Sequence, residues 1–268
     1  MIRMIATDMD GTLLDSTRHI LPRTKQALCK AREQGCEVVI ATGRPIEGIL
    51  PYAKELGTLV PGQYAIAFNG AVVYELSTLK TVVQDTISGA DIRKLAACAS
   101  SLGLYSHAFS MTRGLLTEKN NEWTDIEKNY NQIPLTLTDF QACADHEEFF
   151  KILFCGPQEL IDKAEEATRD LRQNFTVVRS MPFFLEFLNK NASKGFALEK
   201  LASYLGIPLT EVMAFGDAQN DEHMLEVAGV GVAMGNSVPL IIDMADKVTA
   251  SNDEDGIAIV VEQELGLS

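Results

Sequence analysis

Apolar positions along this chain alternate between two spacings. Short continuous apolar runs end in glycine or a polar group, and each is followed by a segment with apolar residues at helical spacing. Met4-Ile5-Ala6-Thr7 runs into Asp8-Met9-Asp10-Gly11, and Cys36 to Ala41 runs into Thr42-Gly43-Arg44-Pro45. Glu211 to Phe215 runs into Gly216-Asp217-Ala218-Gln219-Asn220-Asp221. Runs of this length bounded by turn residues read as buried strands. Before the second run, Pro22, the apolar positions Ala27, Leu28 and Ala31, and the stop residue Gly35 mark a helix. A further helix follows Pro45 and ends near Gly57. Strand–helix–strand–helix predicts a parallel sheet with helices on both faces.

Tyr64 to Phe68 is a third strand, and Asn69-Gly70 predicts a tight hairpin into Ala71 to Tyr74. From about Thr81 the pattern changes. Expected there are a helix from Asp91 to Leu102, short strands around Gly114 to Glu118 and a helix from Thr138 to His146. A strand from Phe149 to Cys155, a helix from Gln158 to Gln173 and strands at Thr176 to Arg179 and Phe183 to Leu188 follow. Parallel-sheet spacing resumes with a helix from Lys194 to Leu205, closed by Gly206 with Pro208 beyond it. After the strand ending at Phe215 come a helix, a strand at Val230 to Ala233, Met234-Gly235-Asn236, a strand at Lys247 to Thr249 and a final helix. The expected fold is α/β: a Rossmann-like parallel-sheet core over residues 1–82 and 190–268, interrupted by an α+β domain over 83–189.

Composition narrows the function. The 268 residues suit about two domains of ~150 residues each. With 37 acidic against 23 basic side chains the net charge is −14. That balance argues against nucleic acid or an anionic membrane as partner, since both recruit basic surface. It leaves small phosphates open, because a bound metal reverses the local sign. Five scattered cysteines without a CxxC pair read as reduced thiols of a cytoplasmic protein. No apolar stretch reaches ~18 residues and no leader pattern is seen, so no membrane span is expected. The sequence carries no signal for oligomeric state.

The polar groups at the strand ends are the candidate chemistry. In open parallel sheets, ligand sites lie at the carboxyl ends of the strands. Asp8, Asp10, Thr42, Asp217 and Asp221 are therefore expected together, with Lys194 at the start of the helix leading to the last of these strands. Two like charges at about 4 Å and an effective dielectric near 20 repel by roughly 4 kcal/mol. Acids so placed suit cation binding, or two carboxyls with separated pKa values. A carboxylate can attack a phosphoryl group, a second can shuttle the proton, and hydroxyl, ammonium and Mg²⁺ can hold the phosphoryl oxygens. Mg²⁺ fits an all-oxygen donor set, whereas zinc would call for clustered His or Cys. Each residue alone also has a plainer reading. Asp8 and Asp10 could form an acidic turn, Thr42 could cap the helix after Pro45, and Lys194 could be a solvated helix lysine. Asp217 and Asp221 could be charges favoured by a helix N-terminus. Arg44 could cover a helix start and Asn69 could be a hairpin residue. His19, His107, His146 and His223 read as ordinary surface or boundary residues. Trp123 and Tyr130 read as packed aromatics or as part of a substrate wall.

Asp8-Met9-Asp10-Gly11-Thr12, Thr42, Lys194 and Gly216 through Asp221, in that order, resemble the four motifs of the haloacid dehalogenase-like superfamily. Ala41-Thr42-Gly43-Arg44, Asn69-Gly70, Ser193-Lys194-Gly195 and Ala233-Met234-Gly235-Asn236 resemble its Cof-type, YidA-like sugar-phosphatase branch. The resemblance spans the chain and is weaker in the insert. It implies that Asp8 is nucleophile and metal ligand, and that Asp10 is general acid/base and ligates Mg²⁺ through its backbone carbonyl. Thr42 and Lys194 would hold the phosphoryl group. Asp217 would bind Mg²⁺, and Asp221 would support the metal site or orient Lys194. Met9 and Gly43, through their backbones, and Asn220 would cradle phosphate, while Arg44 and Asn69 are possible substrate contacts. The insert would be a mobile cap. The implied activity is hydrolysis of small phosphorylated metabolites, sugar phosphates first. A phosphomutase, a phospho-accepting receiver-like module and a purely structural acidic protein are the alternatives. The segment before Lys194 departs from the family pattern, with Leu188-Asn189-Lys190-Asn191-Ala192 where a Pro or Gly is usual.

Overall fold

A computed structural model of the chain describes residues 1–267. It divides into two compact units, Met1–Gln84 with the chain from Ser193 onward, and Asp85–Ala192.

In the first unit the elements are β1 (Met4–Thr7), α1 (Pro22–Glu33), β2 (Glu37–Ala41), α2 (Ile46–Glu55), β3 (Tyr64–Ala67), β4 (Val72–Glu75) and β5 (Lys80–Gln84). The second unit runs β6 (Ile87–Ser88), α3 (Gly89–Ser101), β7 (Tyr105–Ser110), β8 (Gly114–Thr117), α4 (Glu122–Asn131), β9 (Leu135–Leu137), β10 (Glu148–Cys155), α5 (Gln158–Ala167), β11 (Phe175–Met181) and β12 (Phe184–Asn189). The first unit is completed by α6 (Lys194–Leu205), β13 (Val212–Gly216), α7 (Glu222–Val227), β14 (Val230–Ala233), α8 (Pro239–Met244), β15 (Lys247–Val248) and α9 (Gly256–Leu265).

The sheet of the first unit has the order β15-β14-β13-β1-β2-β3-β4-β5. It is parallel from β15 to β3, and only β4 runs the other way, antiparallel to both β3 and β5. Its central strands are buried on both faces, which is why they read as unbroken apolar runs. Met4 and Ala6 of β1, Val39 of β2 and Ala214 of β13 share a core cluster with Leu198 and Leu201 of α6 and Met224 of α7. On strands with a two-residue period the intervening side chains face the other way. Helices α1 and α9 pack against each other, and α1 packs on β2.

The second unit is a mostly antiparallel sheet of order β11-β12-β10-β7-β8-β9, with β6 added to β10. Ile92 and Leu95 of α3 and Ile161 of α5 close one face over Ile152 and Phe154 of β10. The division falls after Gln84 and Ala192 because β5 pairs with β4 through Gln84 and the Ala192 N–H turns back onto Asn189 O. It thus lies two or three residues beyond the boundaries expected from sequence.

Several local expectations are corrected. Thr138–His146 is not a helix; it holds one short 3₁₀ turn, Phe140–Ala142. The helix of that region is α4, which the apolar pattern hides because its buried residues are Thr124, Glu127 and Asn131. The helix expected over 158–173 stops at Ala167 and continues as a 3₁₀ turn from Arg169 to Gln173. Helix α8 was not expected at all. His107 is fully buried, whereas His19 and His146 are exposed. Trp123 and Tyr130 are both partly buried on α4, and Trp123 lies 5.8 Å from the ring of Tyr105. The five cysteines are free thiols.

Candidate active site

β1 pairs with β2 on one side and with β13 on the other, all three parallel, so their carboxyl ends open on one edge of the sheet. The strand order reverses here, with β2 and β3 building outward one way and β13 to β15 the other. Such a switch point leaves a crevice between diverging loops.

Asp8 is the first residue beyond β1. Its N–H donates to Phe215 O at 2.9 Å, which extends the β1–β13 ladder past the strand and fixes where the side chain departs. The residue is only 6% exposed. Its Oδ1 accepts from Lys194 Nζ at 2.5 Å, and the same ammonium donates to Asp221 Oδ1 at 2.6 Å. Lys194 is 1% exposed although it stands in the first turn of α6, so the solvated-lysine reading fails. The preceding Ser193 starts that helix, its Oγ accepting from Phe196 N–H at 3.1 Å. Its Oγ also lies 2.8 Å from His223 Nδ1.

Asp217 completes the cluster: one carboxylate oxygen each from Asp8, Asp217 and Asp221 lies within 4.8 Å of the others. Thr12 Oγ1 donates to Asp217 Oδ1 at 2.8 Å. The second oxygen of Asp221 accepts from the N–H groups of Asp217 and Ala218, both at 3.1 Å. Asp221 therefore holds Lys194 with one oxygen and shapes the Asp217 loop with the other. It is fully buried and serves as more than a helix-end charge.

Three carboxylates against one ammonium leave negative charge uncompensated in a buried setting. Burial, then repulsion from Asp221, pushes the Asp8 carboxyl well above its usual range, against the pull of Lys194. Burial raises Asp217 as well, and its bond from Thr12 works the other way. Burial works against the charge on Lys194, but attraction to Asp221 and Asp8 outweighs it and holds the ammonium charged. An all-oxygen acidic set carrying excess negative charge fits a hard divalent cation. Neither a thiol nor an imidazole belongs to it.

Asp10 lies outside this cluster. Its side chain is 45% exposed and takes both prongs of Arg44, with Nε donating to Oδ2 at 2.8 Å and Nη2 donating to Oδ1. Met9 is buried, and its carbonyl accepts from Leu14 N–H at 2.9 Å, so residues 8–14 form a self-bonded loop.

Thr42 is 2% exposed, and α2 begins after Pro45, so Thr42 is not that helix's cap. Its Oγ1 accepts from Arg44 N–H at 3.2 Å, and its carbonyl accepts from Asn69 N–H at 2.9 Å. Asn69 Oδ1 accepts from Asn220 Nδ2 at 3.1 Å, and a Cβ on Gly43 would come within 3.0 Å of that same oxygen. The loops after β2, β3 and β13 are thus stitched together. The connection from β3 to β4 is longer than the expected two-residue hairpin. Phe68, Asn69 and Gly70 all have positive φ, at 51°, 53° and 94°. A Cβ on Gly70 would fall 2.1 Å from Ser193 O, so this turn presses its backbone onto the start of α6. Left-handed non-glycine residues cost roughly 1–3 kcal/mol each and collect at functional sites.

Sequence reasoning gave no role to Thr12, Asn236, Ser237 or Asn252, all of which bond to the acid-bearing loops. The one available signal was Gly235-Asn236 directly beyond a buried strand.

A family model described as haloacid dehalogenase-like hydrolase matches residues 5–261. The Bacillus subtilis protein YxeH is 36% identical over 265 residues, covering 98% of this chain and 98% of its own. YcsE of the same organism, a 5-amino-6-(5-phospho-D-ribitylamino)uracil phosphatase, is 31% identical over 262 residues, covering 96% of this chain and 93% of its own. A solved subclass IIB sugar phosphatase superposes with a TM-score of 0.82 at 26% identity, covering 99% of this chain and all of that one. The chain belongs to the haloacid dehalogenase-like hydrolases. Within that superfamily its enzyme class is phosphatase. Among the described residues no helix is long and apolar enough to cross a membrane.

Proposed function

We propose that the chain is a cytoplasmic, Mg²⁺-dependent phosphatase of small phosphorylated metabolites, sugar phosphates first, acting through an aspartyl phosphate on Asp8. The observation that carries the reading is the buried cluster in which Lys194 bridges Asp8 and Asp221 while Asp217 closes on both. Asp8 attacks phosphorus, and the bond from phosphorus to the leaving oxygen breaks. Asp10 gives that oxygen its proton, then accepts one from the water that hydrolyses the acyl phosphate. Lys194, the Thr42 hydroxyl, the Asn220 amide and the N–H groups of Met9 and Gly43 hold the phosphoryl oxygens. Asp8 and Asp217, with the Asp10 carbonyl, would hold Mg²⁺, which when bound supplies positive charge against the phosphoryl oxygens. Asp221 holds Lys194 in place, and Asn69 braces Asn220. The inserted unit supplies substrate selection, as lids do. Small phosphorylated polyols suit the reading, since the relatives above include a phospho-ribitylaminouracil phosphatase and a sugar phosphatase.

Phosphate release from a sugar-phosphate and nucleotide panel with and without Mg²⁺ tests this. The expected result is metal-dependent release that Asp8→Asn abolishes. Turnover that survives Asp8→Asn overturns the assigned nucleophile. Isomerised sugar phosphate in place of free phosphate identifies a mutase, and a long-lived phosphorylated Asp8 identifies a phospho-accepting module.

A further inference from the structure

The loop after β14 grips both acid-bearing loops at once. Asn236 Nδ2 donates to Gly11 O at 2.8 Å. Its Oδ1 accepts from Asn252 N–H at 3.0 Å, and Asn252 Nδ2 donates in turn to Leu14 O at 2.8 Å. Gly11 O can only accept and Asn252 N–H can only donate, so the two partners fix which way the Asn236 amide faces. On the other side of the same loop, Ser237 Oγ donates to Gly216 O at 3.2 Å, and Val238 N–H donates to Asp217 O at 3.0 Å. Residues 234–238 therefore form a bracket between the Asp8–Asp10 loop and the Asp217 loop.

What the bracket sets is the Gly11–Thr12 peptide. Gly11 has φ 84°, and a Cβ there would stand 2.7 Å from Asp217 Oδ2, so the two loops meet at van der Waals range. Thr12 carries the hydroxyl that donates to Asp217 Oδ1. A tilt of the Gly11–Thr12 peptide moves that hydroxyl and releases the Asp217 carboxylate to other rotamers. Asn236 is itself exposed, so its truncation removes little buried area. Exposed side chains rarely matter to global stability, yet both amide atoms of this one are committed to backbone partners.

We propose that Asn236 is a positioning residue for the metal site: through the Gly11–Thr12 peptide and the Thr12 hydroxyl it holds Asp217 ready to bind the cation. The inference rests on the reading of Asp8 and Asp217 as the metal-binding acids. Removing a hydrogen-bond partner behind a metal ligand typically lowers metal affinity 10–100-fold.

The test is direct Mg²⁺ titration by calorimetry, and Mn²⁺ titration by electron paramagnetic resonance, on the whole chain without substrate. Asn236→Ala is expected to weaken binding by about tenfold or more, with Tm nearly unchanged. Asn236→Asp keeps the size and the acceptor for Asn252 but loses the donor to Gly11, and is expected to weaken binding alike. Thr12→Val should do the same, and Asn236→Ala with Thr12→Val should be no worse than the more damaging single change, since both act on one path. Affinity within twofold of the parent in both Asn236 variants overturns the inference. So does full additivity with Thr12→Val. Asp217→Asn separates the levels. If it abolishes binding while the Asn236 variants bind normally, the positioning role alone is wrong. If it leaves binding intact, the metal-site reading falls too.

Discussion

Asp10 and Arg44 are joined by a two-pronged ion pair, with the guanidinium 10% exposed and the carboxylate 45% exposed. The pair gives Asp10 surroundings unlike those of Asp8 two residues earlier. One acid is buried against a lysine and the other is held half in solvent by an arginine fork. Arg44 was a candidate substrate contact from sequence, and the structure places it on the candidate proton shuttle. A lysine keeps the charge but not the fork. Arg44→Lys is therefore expected to lower kcat by about 10- to 100-fold with KM within twofold, measured with p-nitrophenyl phosphate, since a misplaced general acid forfeits part of a 10²–10⁴-fold effect. A rise in KM with kcat intact would return Arg44 to substrate binding.

Among the described residues, Lys194 is the sole cation bonded within the carboxylate cluster. Lys194→Met leaves Asp8 and Asp221 buried without a counter-charge, a change that costs about 3–5 kcal/mol. Urea unfolding should show that loss at pH 8. It should show less at pH 5, because Asp8, already raised, takes up a proton to relieve the repulsion.

Asp8 works against stability in the metal-free protein. Its folded pKa lies above its unfolded value, so the folded state holds a proton that the unfolded state releases. Stability therefore declines as pH rises from the unfolded pKa through the folded one. Asp8→Asn escapes that decline. At pH 8 without metal it should melt above the parent, and the difference should vanish below about pH 4, where the carboxyl is protonated in the unfolded chain as well. Calorimetric melting with and without Mg²⁺ checks the stability change, and phosphate release checks the accompanying loss of activity.

Gly70 and Gly35 form a matched comparison. Both have φ near 90°, but a Cβ on Gly70 meets Ser193 O at 2.1 Å while one on Gly35 meets nothing within 4 Å. Gly35→Ala should cost about 1–2 kcal/mol of conformational strain with kcat unchanged. Gly70→Ala should cost more and lower kcat as well, because Ser193 and Lys194 must shift to admit it. Equal kcat in the two variants would show that the turn at Phe68–Gly70 has no bearing on Lys194.

His107 predicts an acid-sensitive inserted unit. Burial, with repulsion from Lys151, pushes the imidazole down to about 3. The unfolded chain takes up its proton near pH 6.5, so stability present above that value is lost as pH falls toward 3, by up to about 1.4 kcal/mol per pH unit. His107→Gln should lose less between pH 6.5 and pH 4.5, as read from the urea midpoint of Trp123 fluorescence. Trp123 is the chain's one tryptophan and lies on α4 next to Thr124, whose hydroxyl is 3.2 Å from His107 Nδ1.

The β1, β2 and β13 runs and α6 from Lys194 to its left-handed Gly206 were legible because strand burial on both faces and helix end signals are local properties. Helix α4 was not legible. Its buried face is Thr124, Glu127 and Asn131, over a sheet carrying the buried Lys151–Glu186 pair, while Ile126 is 43% exposed. An apolar-period argument looks for the opposite arrangement. Asn236 escaped for another reason: its value lies in the two carbonyl-to-amide contacts it bridges, and neither partner is near it in sequence.

By itself the sequence determined which chemical groups are present and which strand ends carry them, since both follow from residue type and local periodicity. Tertiary structure alone decided that Asp8 is buried and Asp10 half-exposed, and that Lys194 reaches across 186 residues to Asp8. It also decided that Arg44 pairs with Asp10. Charge state and orientation depend on desolvation and on neighbours through space, and neither quantity exists until the loops have met.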